Sequence, residues 1–380
     1  MPDIQALAPS TIGIKTDVIK MGALGTLRVK RPTVDRTRFR RRSLQRVSIG
    51  FHDLMTRTTV RGLENIPSRG PLLVLPNHVS NLDGLMVLAF FPRPIEMLGP
   101  GDFKMIAIKD LMLQAYGVTK INRGYGDPAT LRLLINYLQA KRELLMFPGG
   151  GMWEKREFIA KDGAAYLSQV TQTPILPVGL SGTYLKSMDA FRGQRPELTI
   201  HFGKVMPPVP RSTNRKNRDA ELLAANEEIM SRIWEVMEPA EQAQYERWAR
   251  EIYALAVDFE DVHSGETVAY DGPPLPDMTA LSEFISKPNL FRPMWENAGL
   301  QLEPFQEARY FAPIELQMAA RDLYELLQNQ YGQYIPYRMG DEAADQVNAA
   351  LLALSTDAAE WAMRHDARIR LTPTCIDPAE

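Results

Sequence analysis

The sequence predicts an α/β fold with a mostly parallel sheet flanked by helices over residues 61–210. A basic, amphipathic helical arm precedes it (1–60) and a mainly helical extension follows (211–380). Three observations predict this. Short apolar runs such as "PLLVLP", "ELLMF" and "TPILPVGLSG" recur and end in Pro, Gly or a charged residue. Segments with helical periodicity separate them. The strand "ELTIHFG", with Leu198, Ile200 and Phe202 in clean alternation, closes the series before the polar, proline-bearing link "PPVPRSTNRKNRD".

Residues 1–25 read as weakly structured. "SLQRVSIGFHDLMTRTTV" reads as a helix, with Leu44, Val47, Ile49, Phe51, Leu54 and Met55 forming an apolar stripe for the domain or for a lipid interface. "GLENIPSRG" is a loop into the first strand. Gly84 to Phe91 reads as a helix and "PIEML" as a short strand. "KMIAIKDLMLQAYG" is an amphipathic helix stopped by Gly117, and "VTKIN" is a strand. Asp127 stands at an N-cap with Pro128 at the first helical position, for a helix to about Ala140. Lys161 to Val170 reads as another helix. Beyond the link, 221–256, 313–330 and 341–365 read as helical, interrupted by the loop "YDGPPLPDM". No repeat and no catalytic constellation stands out there.

A chain of 380 residues, 45% hydrophobic, can bury a sizeable core. The net charge of −2 hides an asymmetry: the first 70 residues carry 14 Lys and Arg against 5 Asp and Glu. The excess peaks in "RVKRPTVDRTRFRRRSLQR". Arg38, Arg40, Arg41, Arg42 and Arg46, among Phe39, Leu44, Ile49 and Phe51, suit an anionic membrane surface. The arm lacks interleaved aromatics beyond Phe39 and no recognition motif follows, so nucleic acid is not an expected partner. The single cysteine, Cys375, rules out an intramolecular disulfide and fits a reducing compartment. No secretory signal and no run long enough to span a bilayer is evident. The expectation is a cytoplasmic protein lying on the inner face of the membrane.

The stretch "LLVLPNHVSNLDGLMVL" carries the chemistry. His78 follows a strand end, at the sheet rim where α/β proteins bind ligands. Asp83, near a helix start, can accept from one ring nitrogen, fix the tautomer and leave the other nitrogen as a general base. The competing reading is that His78 and Asp83 cap a strand and a helix. His52, His201, His263 and His365 lie apart, so no metal site is expected. "VGLSGT" lacks the spacing of a nucleophile elbow.

The blocks that follow, "GVTKINRG", "LLMFPGGGMWEKRE" and "PILPVGLSG", appear in an order that resembles the glycerolipid acyltransferase family. The match runs through Asn77 and His78, four residues, Asp83; Ile121 and Arg123; Phe147 and Pro148; and Pro177 and Val178. It covers roughly 50–210. The resemblance implies that His78, oriented by Asp83, deprotonates an acceptor hydroxyl that attacks the thioester of acyl-CoA or acyl carrier protein directly, without metal or other cofactor. It implies Arg123 as the reader of an acceptor phosphate, and Asn77, Phe147, Pro148 and Pro177 as lining. The third block departs from the family's Phe-Pro-Glu-Gly-Thr-Arg. Gly149, Gly150 and Gly151 replace Glu-Gly-Thr, similar to the Phe-Pro-Gly-Gly of diacylglycerol acyltransferases and phytyl ester synthases, and the first acid after them is Glu154. The glycines would let backbone N–H groups approach a phosphate or oxyanion. Two acceptor classes stay open, a lysophospholipid such as lysophosphatidic acid, which is favoured, and a neutral alcohol. A catalytically inactive lipid-binding relative is the reading from outside enzymology. The sequence carries no signal of oligomeric state.

Overall fold

The computed structural model describes residues 36–101, 107–122, 127–150, 160–161, 163–212, 214, 216–286, 300, 305–332 and 334–378. Side chains at 36–38, 107–110, 330 and 334 are outside that description. The N-terminal half is a seven-stranded sheet in the order β1-β7-β6-β2-β5-β3-β4. The strands are β1 (Arg57–Arg61), β2 (Leu72–Pro76), β3 (Glu96–Pro100), β4 (Thr119–Ile121), β5 (Glu143–Leu145), β6 (Ile175–Ser181) and β7 (Glu197–Phe202). All neighbours are parallel except β6 and β7, as the alternation of strands and helices predicts. β2 and β6 are buried at every position, which is why they read as unbroken apolar runs rather than alternating ones.

The helices of this half are α1 (Arg36–Met55), α2 (Asn81–Phe90), α3 (Ala107–Tyr116), α4 (Pro128–Gln139), α5 (Gly163–Thr171) and α6 (Ser187–Phe191). Local chemistry sets their ends. Asp127 accepts from Ala129 N and Thr130 N to cap α4, and Gly117, at φ 81, donates to the Leu113 carbonyl to stop α3.

α1 departs from the expected arm. It ends at Met55, and Arg57–Arg61 enters the sheet beside β7. Leu44, Phe51 and Met55 pack on the sheet's core, while Phe39, Val47 and Leu54 face solvent. Arg41 is a correction. It shares the inward stripe with Leu44, Ser48 and His52 and is buried, its guanidinium bidentate to Glu96 at 2.7 Å on both nitrogens and donating to the Tyr116 and Gly117 carbonyls. A guanidinium so engaged cannot meet a membrane.

The second half is more than helical. α7 (Arg218–Glu235) and α8 (Pro239–Arg250) pack back on the first sheet. Then β8 (Ile252–Asp261) and β11 (Ala367–Ile376) pair antiparallel along ten residues, with β9 (Thr267–Val268) and β10 (Arg309–Phe311) at the two edges. Helices Thr279–Ser286, Pro313–Gln330 and Asp341–Ala353 build a separate apolar core on that sheet. The expected helix over 221–256 therefore breaks at Pro239 and turns into a strand. The period-2 pattern of "IYALAVDFED" marks that strand in the sequence.

Candidate active site

β2 runs through the middle of the sheet, paired with β5 and β6, and ends at Pro76. Asn77 continues the ladder with its side chain: Oδ1 accepts from Leu180 N at 2.7 Å and Nδ2 donates to the Leu180 carbonyl at 2.9 Å. That clamp fixes the chain just before His78. Asn77 is buried behind the rim, so it positions the histidine rather than lining a substrate. Pro177 is likewise buried within β6, paired with Leu75, its carbonyl accepting from Gly203 N. It belongs to the sheet and not to the rim.

Both readings of Asp83 are present in one group. Ser80 is the N-cap of α2 and Asp83 its third residue. One carboxylate oxygen, Oδ2, accepts from Ser80 N at 2.7 Å, Val79 N at 2.8 Å and His78 Nδ1 at 2.8 Å. Oxygen accepting two backbone N–H groups can only be an acceptor toward the ring, so Nδ1 carries the proton and Nε2 is the basic nitrogen. Asp83 is wholly buried, while the His78 side chain keeps 17% of its surface. The imidazole face is covered by Phe147, centroids 3.7 Å apart and 14° from parallel. Phe147 arrives just past the end of β5, the parallel neighbour of β2, so adjacent strands deliver the base and its backing ring to one edge.

The glycine block differs from its expected role. Gly150, at φ 78, donates its N–H to the Phe147 carbonyl at 3.0 Å, so that N–H closes a turn rather than pointing at a ligand. Pro148 is buried and its carbonyl accepts from Lys161 N at 2.8 Å. Gly149 offers its carbonyl to the Arg338 guanidinium. Gly151, Glu154 and Arg123 lie outside the described residues, as does the Arg38 side chain. Ile121, which leads to Arg123, ends β4 at the sheet edge, three strands from β2, or about 15 Å.

Several residues near the dyad were not singled out by the sequence. Ser187 of α6 places its Oγ 3.2 Å from Ser80 Oγ. Tyr245 of α8 brings its hydroxyl to 3.4 Å from Asn77 Nδ2. Glu241, in the first turn of α8, is buried and accepts from Gly182 N at 3.0 Å. Burial pushes its carboxyl up to about 7, helped by the Asp83 charge and opposed by the Gly182 N–H. The available signal was an acid in register with Tyr245 and Trp248 on the buried stripe of α8. Ser181 is no nucleophile: it is buried, and its Oγ accepts from Glu238 N at 3.0 Å.

Residues 57–181 match the family model described as Acyltransferase. The segment spans β1 to β6 and holds His78, Asp83 and Phe147. A curated relative, the 1-acyl-sn-glycerol-3-phosphate acyltransferase of Borreliella burgdorferi, is 29% identical over 129 residues, 33% of this chain and 51% of that protein. The chain thus spans about half the length of that relative. Among solved structures, the 1-acyl-sn-glycerophosphate (LPA) acyltransferase PlsC of Thermotoga maritima aligns over 52% of this chain and 83% of its own, at 17% identity and a TM-score of 0.38.

Proposed function

We propose that this protein is an O-acyltransferase that moves a fatty acyl group from acyl-CoA or acyl carrier protein to a hydroxyl of a lysophospholipid such as lysophosphatidic acid. The observation that carries it is the 2.8 Å contact of His78 Nδ1 with Asp83 at the sheet rim, inside the acyltransferase segment. His78 Nε2 takes the hydroxyl proton as the acceptor oxygen attacks the thioester carbonyl. The tetrahedral adduct collapses with cleavage of the C–S bond, and the imidazolium returns the proton to the leaving thiolate. Asp83 stays ionised and stabilises the imidazolium. Arg123, on the segment after β4, would read the acceptor phosphate bidentately.

Glycines in place of Glu-Gly-Thr favour a second reading, a neutral acceptor such as diacylglycerol or a long-chain alcohol. Release of free thiol from acyl-CoA, measured across lysophosphatidic acid, diacylglycerol and fatty alcohol, separates them. The expected result is turnover with lysophosphatidic acid, lost in His78→Ala and selectively weakened in Arg123→Ala. Undiminished turnover in His78→Ala would overturn the mechanism. No turnover with any acceptor would leave a lipid-binding protein.

The second half of the proposal is attachment to the cytoplasmic face of an anionic membrane. No helix among the described residues is long and apolar enough to cross one. On α1, Phe39, Val47 and Leu54 project within about 80° of each other, with the exposed Arg42 and Arg46 on one flank and Arg40 on the other. The ridge continues onto α6: Phe191 touches Phe51 at 5.4 Å between centroids, and Met188 beside it is exposed. Ser187 of the same helix borders the dyad loop, so this surface would set the site's mouth against the bilayer.

A further inference from the structure

The backbone of the Phe147–Gly150 turn is held from two directions. The Phe147 and Pro148 carbonyls find partners nearby in the chain, Gly150 N and Lys161 N. The Gly149 carbonyl finds its partner 189 residues away, in Arg338 of the short helix Tyr334–Met339. Arg338 is buried. The same helix closes over the turn at Gly150: a Cβ there would stand 2.8 Å from Tyr337 Oη and 3.2 Å from Arg338 Nη1. Lys161 Nζ completes the contact, 4.8 Å from the centre of the Tyr337 ring.

His78 is tied to Asp83 through one nitrogen, and one hydrogen bond does not fix the plane of a ring. The stacked Phe147 ring does, and its placement follows the turn that carries it. We infer that Arg338 is a positioning residue of the site: by holding the Gly149 carbonyl it fixes the Phe147–Gly150 turn, and through Phe147 the direction in which His78 Nε2 points. The C-terminal region thereby completes a site whose acid–base pair lies in the first half of the chain. The catalytic part of this inference rests on the acyltransferase reading above; the geometric part does not.

The test is the full-length protein labelled with ¹³C at histidine Cε1, which reports five rings, with His78 assigned by loss of its signal in His78→Gln. In Arg338→Met the His78 signal is expected to move downfield as the ring leaves the shielding face of Phe147. Arg338→Lys, which keeps one donor for Gly149, is expected to stay near wild type. With acceptor and acyl-CoA, Arg338→Met should lower kcat about tenfold or more with KM little changed, the signature of misaligned chemistry. Gly150→Ala probes the same contact from the other side and should shift the same signal, which keeps the test open if Arg338→Met fails to fold. An unmoved His78 signal in a folded Arg338→Met or Gly150→Ala protein overturns the inference. Wild-type protein without acyl transfer would sink the acyltransferase reading alone, because the ring signal still decides whether Arg338 acts on His78.

Discussion

Asn77 holds the Leu180 peptide by both of its polar atoms, accepting from the N–H at 2.7 Å and donating to the carbonyl at 2.9 Å. A primary amide has the same donor and acceptor as a peptide group. It therefore adds a rung between β2 and β6 beyond Pro76, whose own missing N–H faces β5. This gives a physical reason for an asparagine directly before the histidine: the rung is the last fixed point before the loop that carries His78.

Asn77→Ala removes both partners of a buried peptide and should cost about 3 kcal/mol, read from the urea midpoint. Asn77→Asp should cost at least as much, because a carboxylate would face the Leu180 carbonyl with no proton to give. Stabilities within about 0.5 kcal/mol of wild type for both would contradict the rung.

Asp83→Asn keeps the shape of the side chain and most of the cap on α2, yet removes the charge that would stabilise the imidazolium in the proposed reaction. Steady-state thiol release should show kcat down by about 10³–10⁴-fold with little change in KM. Asp83→Ala should in addition destabilise the fold, since Val79 N and Ser80 N lose their acceptor. Equal activity of Asp83→Asn and wild type would reduce Asp83 to a helix cap.

Glu241 predicts an alkaline weakness. Its carboxyl titrates at about 7 in the fold against an ordinary 4.5, so between those values the folded state binds more protons than the unfolded one. Its contribution is complete below pH 4.5 and is lost as pH rises through 7, by about 3 kcal/mol. Urea unfolding from pH 4.5 to 8.5 should show Glu241→Gln gaining on wild type up to about pH 7 and holding that gain above it. Parallel profiles would count against a buried, protonated Glu241.

His52 predicts the opposite limb. Burial lowers its pKa from 6.5 to about 4, against a small opposing pull from Asp53. The unfolded chain then binds more protons between those values. The contribution is complete above pH 6.5 and is lost as pH falls toward 4, again by about 3 kcal/mol. His52→Gln should flatten this acid limb in thermal unfolding, whatever it costs at neutral pH. The two groups oppose each other in the wild-type profile, so each shows in a difference between variant and wild type.

Membrane contact predicts a selective effect of α6. Met188→Ser with Phe191→Ser should weaken co-sedimentation with phosphatidylglycerol vesicles and leave thiol release with a short-chain, soluble acceptor near wild type. Arg42→Gln with Arg46→Gln should weaken binding in a salt-dependent way, at about 1 kcal/mol per charge. Arg41→Gln should instead lower stability, since it removes the bidentate partner of the buried Glu96 and leaves it paired with the half-exposed Arg142. Vesicle binding that is indifferent to all of the surface changes would move the contact elsewhere.

The sheet was legible because its central strands β2 and β6 are buried on both faces and capped helices such as α4 separate the strands. The pairing of His78 with Asp83 was legible as a spacing but not as a geometry, since the same five-residue step serves a cap equally well. Arg41 was misplaced because a run of arginines looks uniform in composition; only its phase with Leu44, Ser48 and His52 distinguishes it. Glu241 showed only as an acid on the buried stripe of α8, and Tyr337 and Arg338 were invisible for another reason. Their relevance comes from packing across 150 residues or more, and no local pattern encodes which distant turn a helix will meet. β8 and β11 were hidden by a helical prior set by their neighbours, although their alternation was there to be read.

The order of strands carries one more consequence. The segment that matches the Acyltransferase model ends at Ser181, but its first strand, β1, pairs in the sheet with β7, which begins at Glu197 and lies between β1 and β6. A fragment cut at the segment's end would strand Arg57–Arg61 with no partner and turn fully buried β6 into a raw apolar border. The borders of likeness along the chain are thus not borders in space. Dissection of this protein into working pieces should follow hydrogen-bond ladders rather than sequence similarity.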